Sequence, residues 1–399
     1  MNKPKVAHIS TTYLKLSESY IYSFIKNHKS YDPFVVTEEL INAPAFPTKK
    51  VYEIQKPPLK ARIVNQIYRE RFFRKKSLES FYLKHLEKEY PSIIMCHYGP
   101  TGVYSLPFRK VLGIPVVTYF YGLDLSFSRL EKVMGKTGGR FSIPLFSRGN
   151  YWRDALMYLF RHGDFFVVPS NQAAMRLIDL GAPKEKVRVV NFGVDLESVK
   201  PAEKDTSSED FKVAMVLSLE ENRGFESSLD AFKVLAGEIP SFQVDIYGDG
   251  SKRREFMERV AVLGISKSVQ IISDYPYNRF LDNIGKYKVF LNPVAVANVD
   301  AMEGWVNYSM MQAMSVGVVP VATHVVGAEL IDPGETGYFI RQNDADDIVE
   351  KLELLYKDKK KMVSMSENAK ERIELYFNAT KQTAKLEKIF DDAITAFRV

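Results

Sequence analysis

Short runs dense in β-branched and aromatic residues recur along the first half of this chain, separated by stretches whose apolar positions fall at helical spacing. They are KVAHIS (5–10), PFVVT (33–37), SIIMCH (92–97), PVVTYFY (115–121), DFFVVPS (164–170) and VRVVNFG (187–193). Continuous apolar runs of this length, alternating with helical patterns, predict parallel strands covered by helices on both faces. Residues 195–211, DLESVKPAEKDTSSEDF, are polar and charged with one Pro, and read as a linker. The alternation then restarts with KVAMVLS (212–218), FQVDIYGDG (242–250), VQIIS (269–273), KVFLNP (288–293) and VVPVAT (318–323). The pattern therefore predicts two three-layer α/β domains facing a cleft, 1–200 and 201–381. The last stretch, 382–399, spaces Leu386, Ile389, Phe390, Ile394 and Phe397 as one helical face and is predicted to pack back on the first domain. Ligands of open α/β sheets bind beyond the carboxyl ends of the strands, so functional side chains are expected in the loops that follow them.

Composition narrows the class. A hydrophobic content of 46% is ordinary for a globular protein, and a single cysteine, Cys96, excludes an internal disulfide framework. Cys96 reads as a small buried hydrophobe. The start MNKPKVAHIS passes from two lysines straight into a strand-like run, without the apolar core of a secretory leader, and no stretch approaches the roughly 18 apolar residues of a membrane span. The expected location is the cytoplasm, with any membrane touched from its inner face.

The formal charge is +6, and all of that surplus sits between Lys56 and Tyr90, where ten Lys/Arg face four Glu. Tyr68, Phe72, Phe73, Phe81 and Tyr82 interleave with these cations. Two readings are open: a basic aromatic helix lying on an anionic bilayer, or a solvated helical face whose aromatics join the core. No nucleic-acid recognition motif accompanies the charge. Six His and one Cys without ligand spacing argue against zinc, and Asp344-Ala345-Asp346, ahead of IVEKLELL, reads as a helix cap rather than a metal motif.

Residues 301–323, AMEGWVNYSMMQAMSVGVVPVAT, join a loop, a helix starting near Asn307 and a buried strand. The free amides and positive dipole end of such a helix start are a seat for phosphate. Glu303, just before it, can accept from sugar hydroxyls or serve as a capping carboxylate, and the Met residues can be core. The spacing leaves these readings open.

The same stretch resembles the donor-site signature of family 4 glycosyltransferases: Glu-Gly, helix, Ala-Met, Gly, then a Pro-containing Val-rich strand. LSLEENRGFESSLDAF (217–232) is similar to that family's phosphate-binding strand-loop-helix, and VDIYGDGSKRREF (244–256) to its Gly-Asp-Gly element. AELIDPGETGYFI (328–340) resembles the segment after the donor helix, and LGAPKEKVRVVNFGVDLESVKP (180–201) the close of the first domain. HYGPTG (97–102) and TYFYGLDLS (118–126) resemble first-domain loops of members that build bacterial exopolysaccharides, O-antigens and colanic acid. The resemblance implies the glycosyltransferase B fold of two Rossmann-like domains.

It also implies roles. Arg223 takes the position of the family's phosphate-binding Lys, while Ser218 stands where the family has Arg, so phosphate binding leans on Arg223 and the amides near Val306, Asn307, Tyr308 and Ser309. Gly248 and Gly250 are expected to permit close backbone approach beside the donor, and the segment from Ile272 to Tyr275 to meet the base. The family's paired acids stand eight positions apart. Here the second acid's place is held by Gln312, nine from Glu303, either through an inserted loop residue, the reading preferred, or because Gly304 occupies the old acid position. In the first domain the family's His-Gly-x-Asp reads Tyr121-Gly122-Leu123-Asp124, which leaves His97 as the nearest group for proton handling. Ser17 and Glu18 fall where the family's acceptor loop sits, or form a helix cap.

The implied activity is a retaining, metal-independent glycosyltransferase with Glu303, Arg223 and His97 as candidate catalytic residues. It would use no cofactor beyond the UDP- or GDP-linked sugar substrate, with a glycan or polyprenyl-linked acceptor. The departures at Ser218, Gln312 and Tyr121 keep open a non-catalytic subunit of the same fold, and another nucleotide-sugar enzyme is the third alternative.

Overall fold

The computed structural model describes residues 3–54, 71–128, 130, 151–199, 210–219, 224–273, 281–295 and 307–398. The chain divides into two compact units, Met1–Asn191 with Thr380–Val399, and Phe192–Ala379. Both are parallel sheets covered by helices.

The first unit carries seven strands: β1 (Lys5–Tyr13), β2 (Asp32–Leu40), β3 (Val51–Glu53), β4 (Ile93–His97), β5 (Val116–Tyr119), β6 (Phe165–Val168) and β7 (Val187–Val189). Their order is β3-β2-β1-β4-β5-β6-β7, all pairs parallel. Strand order reverses between β1 and β4, and such a switch point opens a crevice at the carboxyl ends of the strands. The period of two along β1 and β4 sends Ala7, Ile9, Ile94 and Cys96 into one core, with Phe34, Leu86 and Phe108. His8 and His97 fall on the opposite face of the same two strands, both buried. Burial pushes the Cys96 thiol up to about 12, with a Ser105 hydrogen bond opposing it, so this cysteine is an inert core residue.

The terminal helix Ala379–Arg398 returns to this unit. Phe390 packs against His28 and edge-on to Tyr31, the Tyr31 hydroxyl donates to Asp391 (2.6 Å), and the Arg109 guanidinium lies over the Phe397 ring. The helix Arg71–Glu89 places Tyr82 in the core and Phe81 against it, so these two aromatics belong to the interior rather than to a membrane-facing surface. Tyr68 and Lys56 lie outside the described residues, as do the side chains of Phe72 and Phe73.

The second unit has β8 (Phe211–Val216), β9 (Phe242–Tyr247), β10 (Val269–Ile272), β11 (Val289–Asn292), β12 (Val319–Thr323) and β13 (Tyr338–Ile340), in the order β10-β9-β8-β11-β12-β13. Its pairs are parallel too, and its switch point lies between β8 and β11. Val213, Met215, Val244, Ile246 and Leu291 meet Phe225, Phe232 and Phe256 in its core, Phe225 and Phe256 stacking at 3.8 Å. Asp344 caps the helix Ala345–Lys357 by accepting from the Asp347 amide at 2.9 Å. Among the described residues, no helix is long and apolar enough to cross a membrane.

Candidate functional site

The switch point of the second unit is built from the ends of β8, β9 and β11. Beyond β8, the Leu217 amide donates to the Tyr247 carbonyl (3.1 Å) and the Leu219 amide to the Asp249 carbonyl (2.9 Å), so the two loops run together. Gly248 makes this possible. A Cβ there would stand 2.0 Å from the Leu217 carbonyl oxygen, so the close approach the sequence assigned to a ligand is made by the protein's own backbone. The Gly250 amide is held by the Asp249 carboxylate at 2.9 Å, and Ser218 is exposed in the loop.

The helix Tyr308–Ser315 follows β11. Asn307 is its N-cap, the side-chain oxygen accepting from the Met310 amide at 2.9 Å. Asn307 is thereby committed to the helix, while by helix geometry the first-turn amides of Tyr308 and Ser309 have no intrahelical acceptor. The Tyr308 hydroxyl donates to the Gly193 carbonyl (3.2 Å) and its ring meets Phe192 edge-on. Met310, Met311 and Met314 are core, and Gln312 is itself buried at 2% exposure. Arg223, Tyr275, Glu303 and Val306 lie outside the described residues.

In the first unit the switch point gathers a dense polar cluster. Tyr98, between β4 and the helix Gly99–Leu112, has φ of 75°, a left-handed conformation rare outside glycine. Its hydroxyl donates to Glu18 (3.0 Å) and pairs with the Tyr20 hydroxyl (3.1 Å). Glu18 also accepts from the Lys15 amide, closing the turn ahead of the helix Ser19–Lys26, whereas Ser17 is exposed.

Asp124 is fully buried, its carboxylate accepting from the amides of Gly99 (2.7 Å), Tyr121 (2.9 Å) and Gly122 (3.0 Å). Burial raises its pKa to about 6 against the pull of those amides. Asp124 therefore fastens the loop after β5 to the start of the helix Gly99–Leu112, rather than standing open to an acceptor.

His97 is 1% exposed, with both ring nitrogens engaged: Nε2 to His8 Nδ1 (3.0 Å) and Nδ1 to the Tyr121 hydroxyl (2.7 Å). His8 Nε2 meets His28 Nε2 (3.1 Å), and His28 Nδ1 meets Glu387 on the terminal helix (3.0 Å). Burial and the neighbouring His28 push the His97 pKa down to about 3, so it is no free base and reaches a ligand only through Tyr121. Tyr121 itself lies among the rings of Tyr119 (4.4 Å), Tyr98 (4.8 Å) and Tyr20 (5.1 Å).

Two family models account for these two units in order: "Glycosyltransferase Family 4" matches residues 31–198 and "Glycosyl transferases group 1" residues 198–372. The chain belongs to this glycosyltransferase family. The glycosyltransferase is similar to the putative colanic acid biosynthesis glycosyltransferase WcaL of Escherichia coli K12, at 25% identity over 72% of this chain and 67% of the relative. It is also similar to the amylovoran biosynthesis glycosyltransferase AmsK of Erwinia amylovora, at 24% over 72% and 66%. Among solved structures, a glycosyltransferase from Rickettsia africae aligns with TM-score 0.73 at 15% identity over 99% of both chains. Anabaena Alr3699/HepE, in complex with UDP and glucose, aligns with TM-score 0.73 at 14% over 97% of this chain and 99% of that one. The fold of this glycosyltransferase is the glycosyltransferase B fold, each unit a Rossmann-like domain.

The sequence reading of the glycosyltransferase missed His8, His28, Tyr20, Tyr98 and Glu387. One signal was present: His8 interrupts an apolar strand, and a polar group in such a strand must find a partner.

Proposed function

We propose that this glycosyltransferase moves a sugar, with retention of anomeric configuration, from a nucleotide-diphosphate sugar to a glycan or polyprenyl-linked glycan during surface polysaccharide synthesis. The observation that carries the reading is the switch point of the second unit between β8 and β11, beyond whose carboxyl ends such sheets bind ligands, with the capped helix Tyr308–Ser315 following β11. In the proposed reaction the positive end of that helix, with Arg223, stabilises the departing diphosphate, where charge grows most in the transition state. Glu303 accepts from donor-sugar hydroxyls, and Gln312 lies in the helix Tyr308–Ser315. No cofactor enters besides the nucleotide sugar. Support for UDP as the carrier comes from HepE, solved with UDP and with UDP-glucose, and support for the pathway class from the similarity to WcaL and AmsK, described as colanic acid and amylovoran biosynthesis glycosyltransferases.

The test is release of nucleoside diphosphate from a panel of UDP- and GDP-sugars with lipid-linked acceptors. Arg223→Ala and Glu303→Ala are each expected to slow release at least about tenfold, as expected for losing a group that meets developing charge or the donor. Binding without turnover on every donor would replace this reading with a non-catalytic subunit.

We further propose peripheral contact with the inner membrane face through the cations between Lys56 and Tyr90, supported by the charge surplus concentrated there.

A further inference from the structure

The chain from Glu387 to Tyr121 contains four hydrogen bonds, and its hydrogens can be counted. All six ring nitrogens of His8, His28 and His97 take part. A neutral imidazole offers one N–H and one lone pair, and a phenol donates one hydrogen. Glu387 fixes the starting point. The same oxygen that meets His28 also accepts from the amides of Lys29 (2.8 Å), Ser30 (2.9 Å) and Tyr31 (3.3 Å). Burial disfavours the carboxylate, but the bonds from His28 and these amides outweigh it and hold the acid at about 2.

An ionised Glu387 can only accept, so His28 carries its hydrogen on Nδ1 and must accept at Nε2. His8 then carries hydrogen on Nε2 and accepts at Nδ1. His97 carries hydrogen on Nε2 and accepts at Nδ1, and the last donor is the Tyr121 hydroxyl. With three neutral rings, each bond holds one hydrogen and only one direction is consistent. Burial lowers His8 as well as His97, which keeps these two rings uncharged at neutral pH; the relay takes His28 as the neutral partner of the carboxylate, since a second proton on it would reverse every bond as far as Tyr121.

We infer that Glu387, His28, His8 and His97 form a positioning relay that commits the Tyr121 hydrogen inward, so that the phenol oxygen faces the reacting sugars only as an acceptor of a sugar hydroxyl's hydrogen bond. This rests on the transferase reading above. Tyr121 stands beyond the carboxyl end of β5, beside the switch point, where ligands of such sheets bind. A free phenol rotates and can donate or accept, whereas this one has a fixed sense. Polarisation along a chain that ends in a carboxylate strengthens the oxygen as an acceptor. The device also makes the terminal helix part of the first unit's recognition chemistry: an acid 359 positions away from His28 sets the sense of a hydroxyl on the far side of the sheet's central strands.

Two measurements test it on the full chain. Solid-state ¹⁵N spectra of histidine-labelled protein at pH 7, without ligand, should show three neutral rings, His28 protonated on Nδ1 and His8 and His97 on Nε2. In Tyr121→Phe the His97 Nδ1 signal alone among these should lose its hydrogen-bond shift. An imidazolium in the array, or hydrogen on His97 Nδ1, overturns the inference.

Kinetically, with UDP release from UDP-glucose as the readout, Tyr121→Phe and Glu387→Gln should each lower kcat roughly tenfold, the worth of about one net hydrogen bond, with KM nearly unchanged. Glu387→Gln keeps an acceptor oxygen on the amides and His28 while removing the charge. The double variant should fall no further than Tyr121→Phe alone; multiplicative losses would mean the helix acts only through stability and would overturn the relay. A wild type without turnover on any donor defeats the transferase reading, while the spectra still decide the direction of the array. They also decide it should Glu387→Gln fail to fold.

Discussion

Asp124→Asn separates burial from hydrogen bonding at the centre of the first unit. The native carboxyl, 0% exposed, receives three backbone amides, Tyr121 and Gly122 on one oxygen and Gly99 on the other. Asparagine has one acceptor oxygen, so its NH₂ faces one of these amides, the Gly99 N–H if the oxygen stays with Tyr121 and Gly122. Leaving that buried donor unmatched costs about 1–3 kcal/mol at every pH.

The pH dependence carries the sharper statement. Folding raises the Asp124 pKa from 3.8 to about 6, so the stabilisation of its neutral form is complete below the unfolded value and is lost as pH rises through the folded one. A rise of about two units is worth about 3 kcal/mol. Asparagine has no such titration, so the wild type should lose about 3 kcal/mol relative to the variant between pH 3 and pH 7.

Trp152, fully buried in this unit, reports its unfolding in urea at each pH once the chain's second tryptophan, Trp305, is replaced by Phe. A difference that stays flat, or a wild type that gains on the variant as pH rises, would show that the three amides outweigh burial and would refute the argument.

Gly248→Ala should destabilise the second unit by about 1–3 kcal/mol, because its Cβ would meet the Leu217 carbonyl, backbone that cannot yield without parting the ends of β8 and β9. An unchanged urea midpoint for that unit would contradict the close approach. In liposome flotation, neutralising Arg71, Arg74, Lys75 and Lys76 together should release the protein from anionic vesicles, each cation contributing on the order of 1 kcal/mol; undiminished flotation would remove the membrane proposal.

Every strand-like run in the sequence is a strand in the structure, because parallel strands between helix layers are rich in β-branched and aromatic residues, and the central ones, β4, β5, β11 and β12, are buried along their whole length. The strand that went unread, β3, is three residues at a sheet edge, too short to show a period. The helix start at Asn307 was legible from its residue type and the run that follows, and so was the Asp344 cap, since a cap bonds within three residues of itself.

Side-chain partnership was not legible. From the sequence, His97 stood as a lone base and Asp124 as an acceptor contact. Packing gave the first to His8 and Tyr121 and spent the second on backbone amides. Local periodicity determined which residues are buried and in what elements. Only the tertiary structure decided which ring of the histidine array meets which, because those partners lie 20 to 359 positions apart and are chosen by the packing of whole elements, whose geometry no local pattern encodes.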